Sequence, residues 1–208
     1  MASNIGKFIT LEGGEGAGKT TCMSHVRQRI VDAGIPLVVT REPGGTHISE
    51  KIRELLLDKE NTDIQDDAEL LLMFAARSQH LNELIRPALQ RGDWVLCDRF
   101  TDATHAYQGG GRGIPTERIS SLENWTQRGL KPDLTLLLDL PVETGLERAG
   151  QRSAPDRFES ESPQFMQNIR KAYLKIAAEE PGRVKLIDAA LPLDEVLGQI
   201  DKVMDKIL

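Results

Sequence analysis

Residues Gly13–Thr20 carry four glycines and a closing Lys-Thr pair at the spacing G-x-x-x-x-G-K-[ST]. The apolar run 8–11 predicts a buried strand before them, and residues 21–33 predict a helix after them. In that context the backbone N–H groups can converge on an anion, and the helix adds the positive end of its dipole. Lys19 can then reach the β- and γ-phosphates of a nucleotide, while the Thr20 hydroxyl can hold Mg²⁺. The alternative is a flexible glycine-rich turn, but the flanking elements favour a site for a nucleoside triphosphate.

Composition and charge exclude several classes of protein. The net charge of −6 over 208 residues argues against a broad nucleic-acid surface, whereas a small phosphorylated substrate needs only a local basic cluster. No apolar run approaches the roughly 18 residues of a membrane span, and the N-terminus lacks the charged and apolar regions of a signal peptide. Two cysteines are too few for a disulfide framework. We therefore expect a cytoplasmic protein that binds neither nucleic acid nor membranes.

Short apolar segments alternate with segments of helical periodicity along the chain. Near-continuous apolar runs such as 134–138 indicate strands buried on both faces, as in a parallel sheet covered by helices. The prediction is an α/β fold with no linker between separate domains. The predicted strands are 8–12, 37–41, 94–98, 134–139 and 184–188. The predicted helices are 20–33, 47–57, 67–90, 115–128, 142–151, 163–180 and 193–208.

Polar residues follow the predicted strands at their carboxyl ends, the edge at which such sheets bind ligands. Asp98 ends one strand and, beside a phosphate loop, is a candidate Mg²⁺ ligand together with Thr20. Many strands end in Asp without binding a metal. Arg41 and Arg99 follow two strands and could clamp an acceptor phosphate, because the guanidinium fork matches phosphate geometry. The alternative for Arg41 is a solvated ion pair with Glu42.

Phe74 and Arg77 share one face of the predicted helix 67–90. An aromatic plane and a hydrogen-bonding fork would suit a nucleobase, although the spacing alone favours a core Phe beside a surface Arg. Pro87 is expected to kink or end this helix. Residues 108–113 predict a glycine-rich turn, and residues 150–162 predict a polar loop between two helices.

Several motifs along the chain resemble those of the bacterial thymidylate kinases, from about residue 5 to the C-terminus. The phosphate loop alone marks only the superfamily of P-loop nucleoside monophosphate kinases, whereas the combination is highly specific. The motifs are 12–21, 40–46, 75–77, 98–100, 106–112, 132–135, 138–139 and 156–159.

This resemblance implies Mg²⁺-dependent transfer of the ATP γ-phosphoryl group to dTMP, giving dTDP and ADP. It also implies a three-layer P-loop fold with a five-stranded parallel sheet, as one domain over residues 1–208, usually a homodimer. By the same resemblance, ATP is bound by Gly13, Gly14, Glu15, Gly16, Ala17, Gly18, Lys19, Thr20 and Thr21. The residues implied for dTMP are Glu15, Arg41, Phe74, Arg77, Arg99, Thr104, Tyr107 and Gln108.

Individual roles follow from the resemblance as well. Phe74 would stack on thymine, with Arg77 and Gln108 beside the base. Arg41 and Arg99 would clamp the acceptor phosphate. The remaining two roles concern the sugar: Glu15 would lie near its 3′-hydroxyl, and Tyr107 would pack beside it and exclude the corresponding ribonucleotide.

The resemblance also implies a mobile lid at about residues 150–161. Family members without Arg in the phosphate loop place a catalytic Arg in the lid, so Arg152 and Arg157 are implied beside Lys19 and Arg99. The chain departs from the family pattern at Ala103, where a small hydroxyl residue is common; only Thr104 is present.

Three other functions compete with this interpretation. A kinase of another nucleoside monophosphate or of a deoxynucleoside is the main alternative, and a non-catalytic nucleotide-binding regulator is another. A GTPase would need D-x-x-G and N-K-x-D motifs, which the sequence does not supply in the required places.

Overall fold

A parallel sheet forms the centre of the structure, a computed structural model that describes residues 6–150 and 156–208. Within these residues the sheet has five strands: β1 Phe8–Gly13, β2 Leu37–Arg41, β3 Trp94–Asp98, β4 Leu134–Asp139 and β5 Val184–Asp188. They pair in the order β2-β3-β1-β4-β5. β1 is one residue longer than predicted, and the other strands have the predicted bounds. The central strand therefore delivers the glycine-rich octapeptide to the middle of the carboxyl edge.

Helices cover both faces of the sheet, which confirms the three-layer α/β/α prediction. The helices are α1 Lys19–Asp32, α2 His47–Leu57, α3 Asp66–His80, α4 Arg86–Arg91, α5 Thr101–Thr104, α6 Thr116–Gln127, α7 Val142–Ala149, α8 Pro163–Glu179 and α9 Leu193–Met204. On one face of the sheet Ile9 and Leu11 pack with α1 and α9, and on the other Phe8 packs with α4. Among the described residues, none of these helices is long and apolar enough to cross a membrane.

The predicted helix 67–90 changes its winding instead of simply ending at Pro87. The segment Leu81–Ile85 is π-helical and links α3 to α4. Proline lacks the N–H of an α-helical bond, and its ring collides with the carbonyl four residues back. The wider π turn just before Pro87 lets the chain continue as a helix, and such turns are frequent at functional sites.

The predicted glycine-rich turn at 108–113 is wrong over most of its length. Residues His105–Gly111 form a second π-helical segment, continuous with α5. Packing against α8 explains the glycines: a Cβ on Gly111 would lie 2.4 Å from the ring of Phe165, and one on Gly110 would lie 2.7 Å from Ala172 Cβ. Tertiary packing thus overrides the low helical propensity of glycine.

Candidate nucleotide-binding site

A cavity of about 270 Å³ opens at the carboxyl edge of the sheet, where the sequence predicted a site. Elements far apart in the chain contribute to it: the phosphate loop, the ends of β2 and β3, helices α2 and α3, the second π-helical segment and residues 156–159. The lining residues are Glu15, Gly16, Ala17, Gly18, Lys19, Thr20, Arg41, Glu42, Pro43, Arg53, Leu57, Met73, Arg77, Asp98, Arg99, Phe100, Ala103, Thr104, Tyr107, Gln108, Asp156, Phe158 and Glu159.

The phosphate loop is shaped by a close approach to α7. Gly16 has a φ of +69°, and a Cβ there would lie 2.1 Å from the carbonyl oxygen of Gly145. Only glycine fits that position. The loop in turn holds Lys19, whose Nζ donates to the carbonyl oxygens of Gly13 at 3.1 Å and Gly14 at 3.0 Å. Burial lowers the pKa of Lys19, and the nearby Arg99 lowers it further.

Glu15 joins the phosphate loop to Arg99 and Tyr107. Its Oε1 accepts hydrogen bonds from Arg99 Nη2 at 2.5 Å and from Tyr107 Oη at 3.1 Å. Burial raises the pKa of Glu15, but Arg99 and Lys19 together outweigh burial and hold that pKa well below its ordinary value. Glu15 is therefore an anion that fixes Arg99 at the mouth of the loop.

Arg99 has an unusual backbone conformation. Its φ is +67°, in the left-handed region that costs a side chain with a Cβ of order 1 kcal/mol or more. Neighbouring hydrogen bonds hold it there: Arg99 N donates to Leu11 O at 2.9 Å, and Phe100 N donates to Glu12 Oε1 at 2.7 Å. Backbone strain that several surrounding contacts hold in place in this way is found at ligand-binding sites.

Three arginines surround one part of the cavity: Arg41, Arg53 and Arg99. Arg41 Nη2 donates to Glu50 Oε2 at 2.9 Å, and Arg53 Nη1 donates to Pro43 O at 2.8 Å. Burial lowers the pKa of Arg53, and Arg41 lowers it further, so the positive charges lie close enough to repel one another. Such a cluster suits a dianionic phosphate. Sequence reasoning missed Arg53, which lies within a helix and in no recognised motif.

Arg77 is a buried residue of α3, 3% exposed, and not the surface arginine that spacing favoured. Its Nε donates to Glu42 Oε2 at 2.7 Å, and its Nη2 donates to Thr104 Oγ1 at 3.0 Å. Glu42 is held in turn by His80, which also contacts Thr40. The guanidinium is therefore fixed in position. Phe74 is also buried, with its ring 4.9 Å from the Arg77 guanidinium.

Buried polar atoms without a hydrogen-bond partner point to a ligand. Within residues 6–150 and 156–208, three side-chain atoms are in this state: Arg77 Nη1, Asp98 Oδ1 and Arg99 Nε. All three belong to residues that line the cavity. An unpaired buried polar group costs about 1–3 kcal/mol, so a bound molecule that pairs these atoms would gain affinity.

The unpaired oxygen of Asp98 and the hydroxyl of Thr20 fit the predicted Mg²⁺ site. Both residues line the cavity, and the described residues contain no cluster of three His, Cys, Asp or Glu that could hold a metal alone. Mg²⁺ commonly takes one or two protein ligands and completes its shell with phosphates and water. The donor set is thus suited to a metal that arrives with a nucleotide.

Several predicted residues lie elsewhere. Gly13 and Gly14 line a smaller neighbouring cavity, while Thr21 and Phe74 line neither. Arg157 also lies outside the lining: its Nη2 donates to Glu69 Oε2 at 2.7 Å, and its Nε donates to Leu56 O at 2.8 Å. Arg152 lies outside the described residues.

Three comparisons with known proteins show which family this chain resembles. The thymidylate kinase family model matches residues 11–200. A thymidylate kinase of Methylococcus capsulatus is 55% identical over 203 residues, covering 98% of this chain and 97% of that protein. One from Pseudomonas putida is 56% identical over 201 residues, covering 97% of each. This chain belongs to the thymidylate kinase family.

A solved structure of a member agrees with this assignment. The crystal structure of thymidylate kinase from Ehrlichia chaffeensis superposes with a TM-score of 0.78 at 31% identity, covering 96% of this chain and 98% of that one. The family assignment confirms the resemblance found in the motifs. It also favours thymidylate kinase over the alternative of another nucleoside monophosphate or deoxynucleoside kinase.

Glu12, at the end of β1, gives this thymidylate kinase fold a testable pH dependence. Burial, followed by the charge of Asp102, raises the Glu12 pKa to about 8, although Tyr173 and Phe100 donate hydrogen bonds to it. The folded protein therefore holds a proton that the unfolded chain releases near its ordinary value of 4.5. The contribution of Glu12 to the free energy of unfolding must therefore fall as the pH rises from about 5 through about 8.

The isosteric substitution Glu12→Gln should remove this dependence. We expect the free energy of unfolding of the wild type to fall relative to the variant between about pH 5 and pH 9, by at least about 1.4 kcal/mol, the equivalent of one pKa unit. Urea denaturation at several pH values measures both curves. Parallel curves would show that Glu12 is ionised in the folded protein over this whole pH range.

Proposed function

We propose that this chain transfers the γ-phosphoryl group of ATP to dTMP, giving dTDP and ADP, with Mg²⁺ as the metal. The observation that carries the proposal is the set of unpaired atoms on Arg77, Asp98 and Arg99, in one cavity with the phosphate loop. One unpaired donor suits a base carbonyl, one unpaired oxygen suits a metal, and one suits a phosphate. The names of the relatives support the same reaction.

The proposed positions of the substrates follow the lining of the cavity. ATP would bind along residues 13–21, with Lys19 leaving the loop carbonyls for the phosphates. The phosphate of dTMP would meet Arg41, Arg53 and Arg99. Arg77, Thr104 and Gln108 would meet the thymine edge, while Tyr107 and Glu15 would flank the sugar. Phe74 is buried outside the cavity lining and must become accessible before it can stack on the face of the base.

Charge neutralisation is the main task in this reaction. A phosphate monoester has a second pKa near ~6, so the acceptor is already largely a dianion at neutral pH and needs no strong base. Two anions must nevertheless be brought together. Lys19 and the three arginines would offset that repulsion, and residues 156–159 at the cavity would help to exclude water. Mg²⁺, held by Thr20, Asp98 and the nucleotide, would supply additional positive charge.

Arg152 and Arg157 remain proposed catalytic residues of the lid at residues 150–161. The contacts of Arg157 with Glu69 and Leu56 support a role in anchoring that segment. If Arg157 is to reach a phosphate, it must first leave both partners.

An acceptor panel tests the proposed activity. Purified protein with Mg²⁺ and ATP should release ADP with dTMP far faster than with thymidine or AMP, and the rate with dUMP measures the contribution of the C5 methyl group. Equal rates with AMP would indicate a different monophosphate kinase. ATP binding without any acceptor-dependent turnover would indicate a regulator. The proposal keeps the cytoplasmic location, where ATP is available, and the absence of nucleic-acid and membrane partners expected from the net charge and the lack of long apolar runs.

A homodimer is also part of the proposal. Exposed apolar side chains lie on the adjoining helices α2 and α3, where Ile48, Leu55 and Leu71 are 46%, 45% and 56% exposed. An apolar face of this kind is typical of an interface between copies. We expect sedimentation equilibrium to give twice the mass of one chain. Leu71→Lys should yield monomer, while Val31→Lys, a change on α1 at a residue that is 50% exposed, should leave the dimer intact.

A further inference from the structure

Glu69 is a fully buried carboxylate of α3 that does not line the cavity. Its Oε1 accepts a hydrogen bond from Gln108 Nε2 at 2.8 Å. Its Oε2 accepts from Arg157 Nη2 at 2.7 Å and from Arg112 Nη2 at 3.1 Å. One carboxylate therefore holds an amide of the cavity wall and two guanidinium groups.

The contact with Glu69 decides which end of the Gln108 amide meets the carboxylate. A carboxylate flanked by two guanidinium groups accepts hydrogen bonds and donates none. Only the Nε2 end of Gln108 can therefore face it, because the Oε1 end would place two acceptors together. This leaves the Gln108 Oε1 acceptor and the second Nε2 hydrogen for a molecule in the cavity.

That arrangement distinguishes pyrimidine bases. Thymine presents an N3–H donor beside a carbonyl acceptor, which an amide with a fixed acceptor and donor can match. Cytosine presents an unprotonated N3 acceptor beside an amino donor, so the same amide would need to turn over. An amide tied to Glu69 cannot turn over without breaking a buried charge-assisted hydrogen bond.

We propose that Glu69 is a positioning residue that fixes the amide of Gln108 for bases with a protonated N3, and so selects dTMP over dCMP. This inference rests on the proposed function. Arg157 and Arg112 keep the carboxylate in place, and Arg112 also pairs with Glu161. The residue that sets base selectivity thus lies one contact behind the residue that meets the base.

The isosteric substitution Glu69→Gln tests this role. An amide at position 69 can donate as well as accept, so Gln108 becomes free to turn over. We expect the ratio of kcat/KM for dTMP to that for dCMP to fall by ~10-fold or more, because mismatched polar groups carry most of such discrimination. The KM for ATP should change less than ~2-fold, because the substitution leaves the proposed ATP-binding residues 13–21 unchanged.

Glu83→Gln is the matched control. It makes the same carboxylate-to-amide change at an exposed residue that accepts a hydrogen bond from Gln79 and does not line the cavity, so the dTMP to dCMP ratio should stay within ~2-fold of the wild type. Circular dichroism establishes that each variant is folded. If Glu69→Gln does not fold, Glu69→Asp keeps the charge but shortens the side chain, and the ratio should fall in the same way.

An unchanged ratio in a folded Glu69 variant, with equal losses for both nucleotides, would overturn the proposed role and leave Glu69 a structural residue. That result is distinct from failure of the proposed function. If the wild-type protein consumes no ATP with dTMP, the activity and this inference fail together.

Discussion

Replacing Lys19 with methionine is expected to lower kcat/KM for dTMP by ~10²-fold or more, the effect of losing one donor to developing charge. Lys19 is the ammonium group of the phosphate loop, where its Nζ donates to the carbonyls of Gly13 and Gly14. Methionine keeps the side chain as far as the Cε position but removes the ammonium group that would follow the γ-phosphate during transfer. The loss should fall mainly on kcat, because the backbone N–H groups of the loop can still bind ATP.

Lys202→Met provides the control for Lys19→Met. Lys202 is an exposed residue of α9 and does not line the cavity. The same change of charge there should leave kcat/KM within ~2-fold of the wild type. Steady-state assays of ADP release compare the two variants. Near-wild-type turnover in Lys19→Met would refute the assignment of the phosphate loop as the catalytic site.

The second large effect is expected at Arg99, where alanine should also lower kcat/KM by ~10²-fold or more. Arg99 carries one of the three unpaired buried atoms and anchors Glu15 at 2.5 Å. Its removal would take a guanidinium from the proposed site of the acceptor phosphate. It also leaves Glu15, whose pKa that guanidinium helps to depress, as a less well compensated anion beside the substrates.

Two controls separate the Arg99 side chain from its backbone. Arg99→Gly removes the side chain but tolerates the φ of +67°, so equal losses in the Ala and Gly variants would assign the effect to the guanidinium. Arg128 shares the left-handed conformation, with a φ of +49° at the end of α6, and is exposed and outside the cavity. Arg128→Ala should keep full activity. A loss in Arg99→Ala that Arg99→Gly restores would mean that backbone strain, not charge, is responsible.

Local patterns were sufficient to predict the sheet and its phosphate loop. Each strand is a short apolar run, and the spacing of residues 13–20 fixes a loop geometry through a few neighbouring glycines. Asp98 and Arg99 both line the cavity, because the carboxyl ends of parallel strands meet at one edge of the sheet. These inferences need only nearest neighbours and the topology of the sheet.

Contacts between helices that are distant in the chain could not be predicted from local sequence patterns. Arg53 reaches the cavity only because α2 packs beside the turn that contains Pro43. Glu69 meets Gln108 and Arg157 across 39 and 88 residues of chain. The burial of Arg77 likewise depends on Glu42 and His80, and no periodicity indicates that a carboxylate from another element will cover an arginine.

The most direct test of the proposed phosphoryl transfer is to follow the label from [γ-³²P]ATP in the presence of Mg²⁺ and dTMP. We expect the label to appear in dTDP, in amounts equal to the ADP formed, and this product to disappear when dTMP is omitted. Label released only as inorganic phosphate, or no consumption of ATP at all, would contradict the proposed transfer.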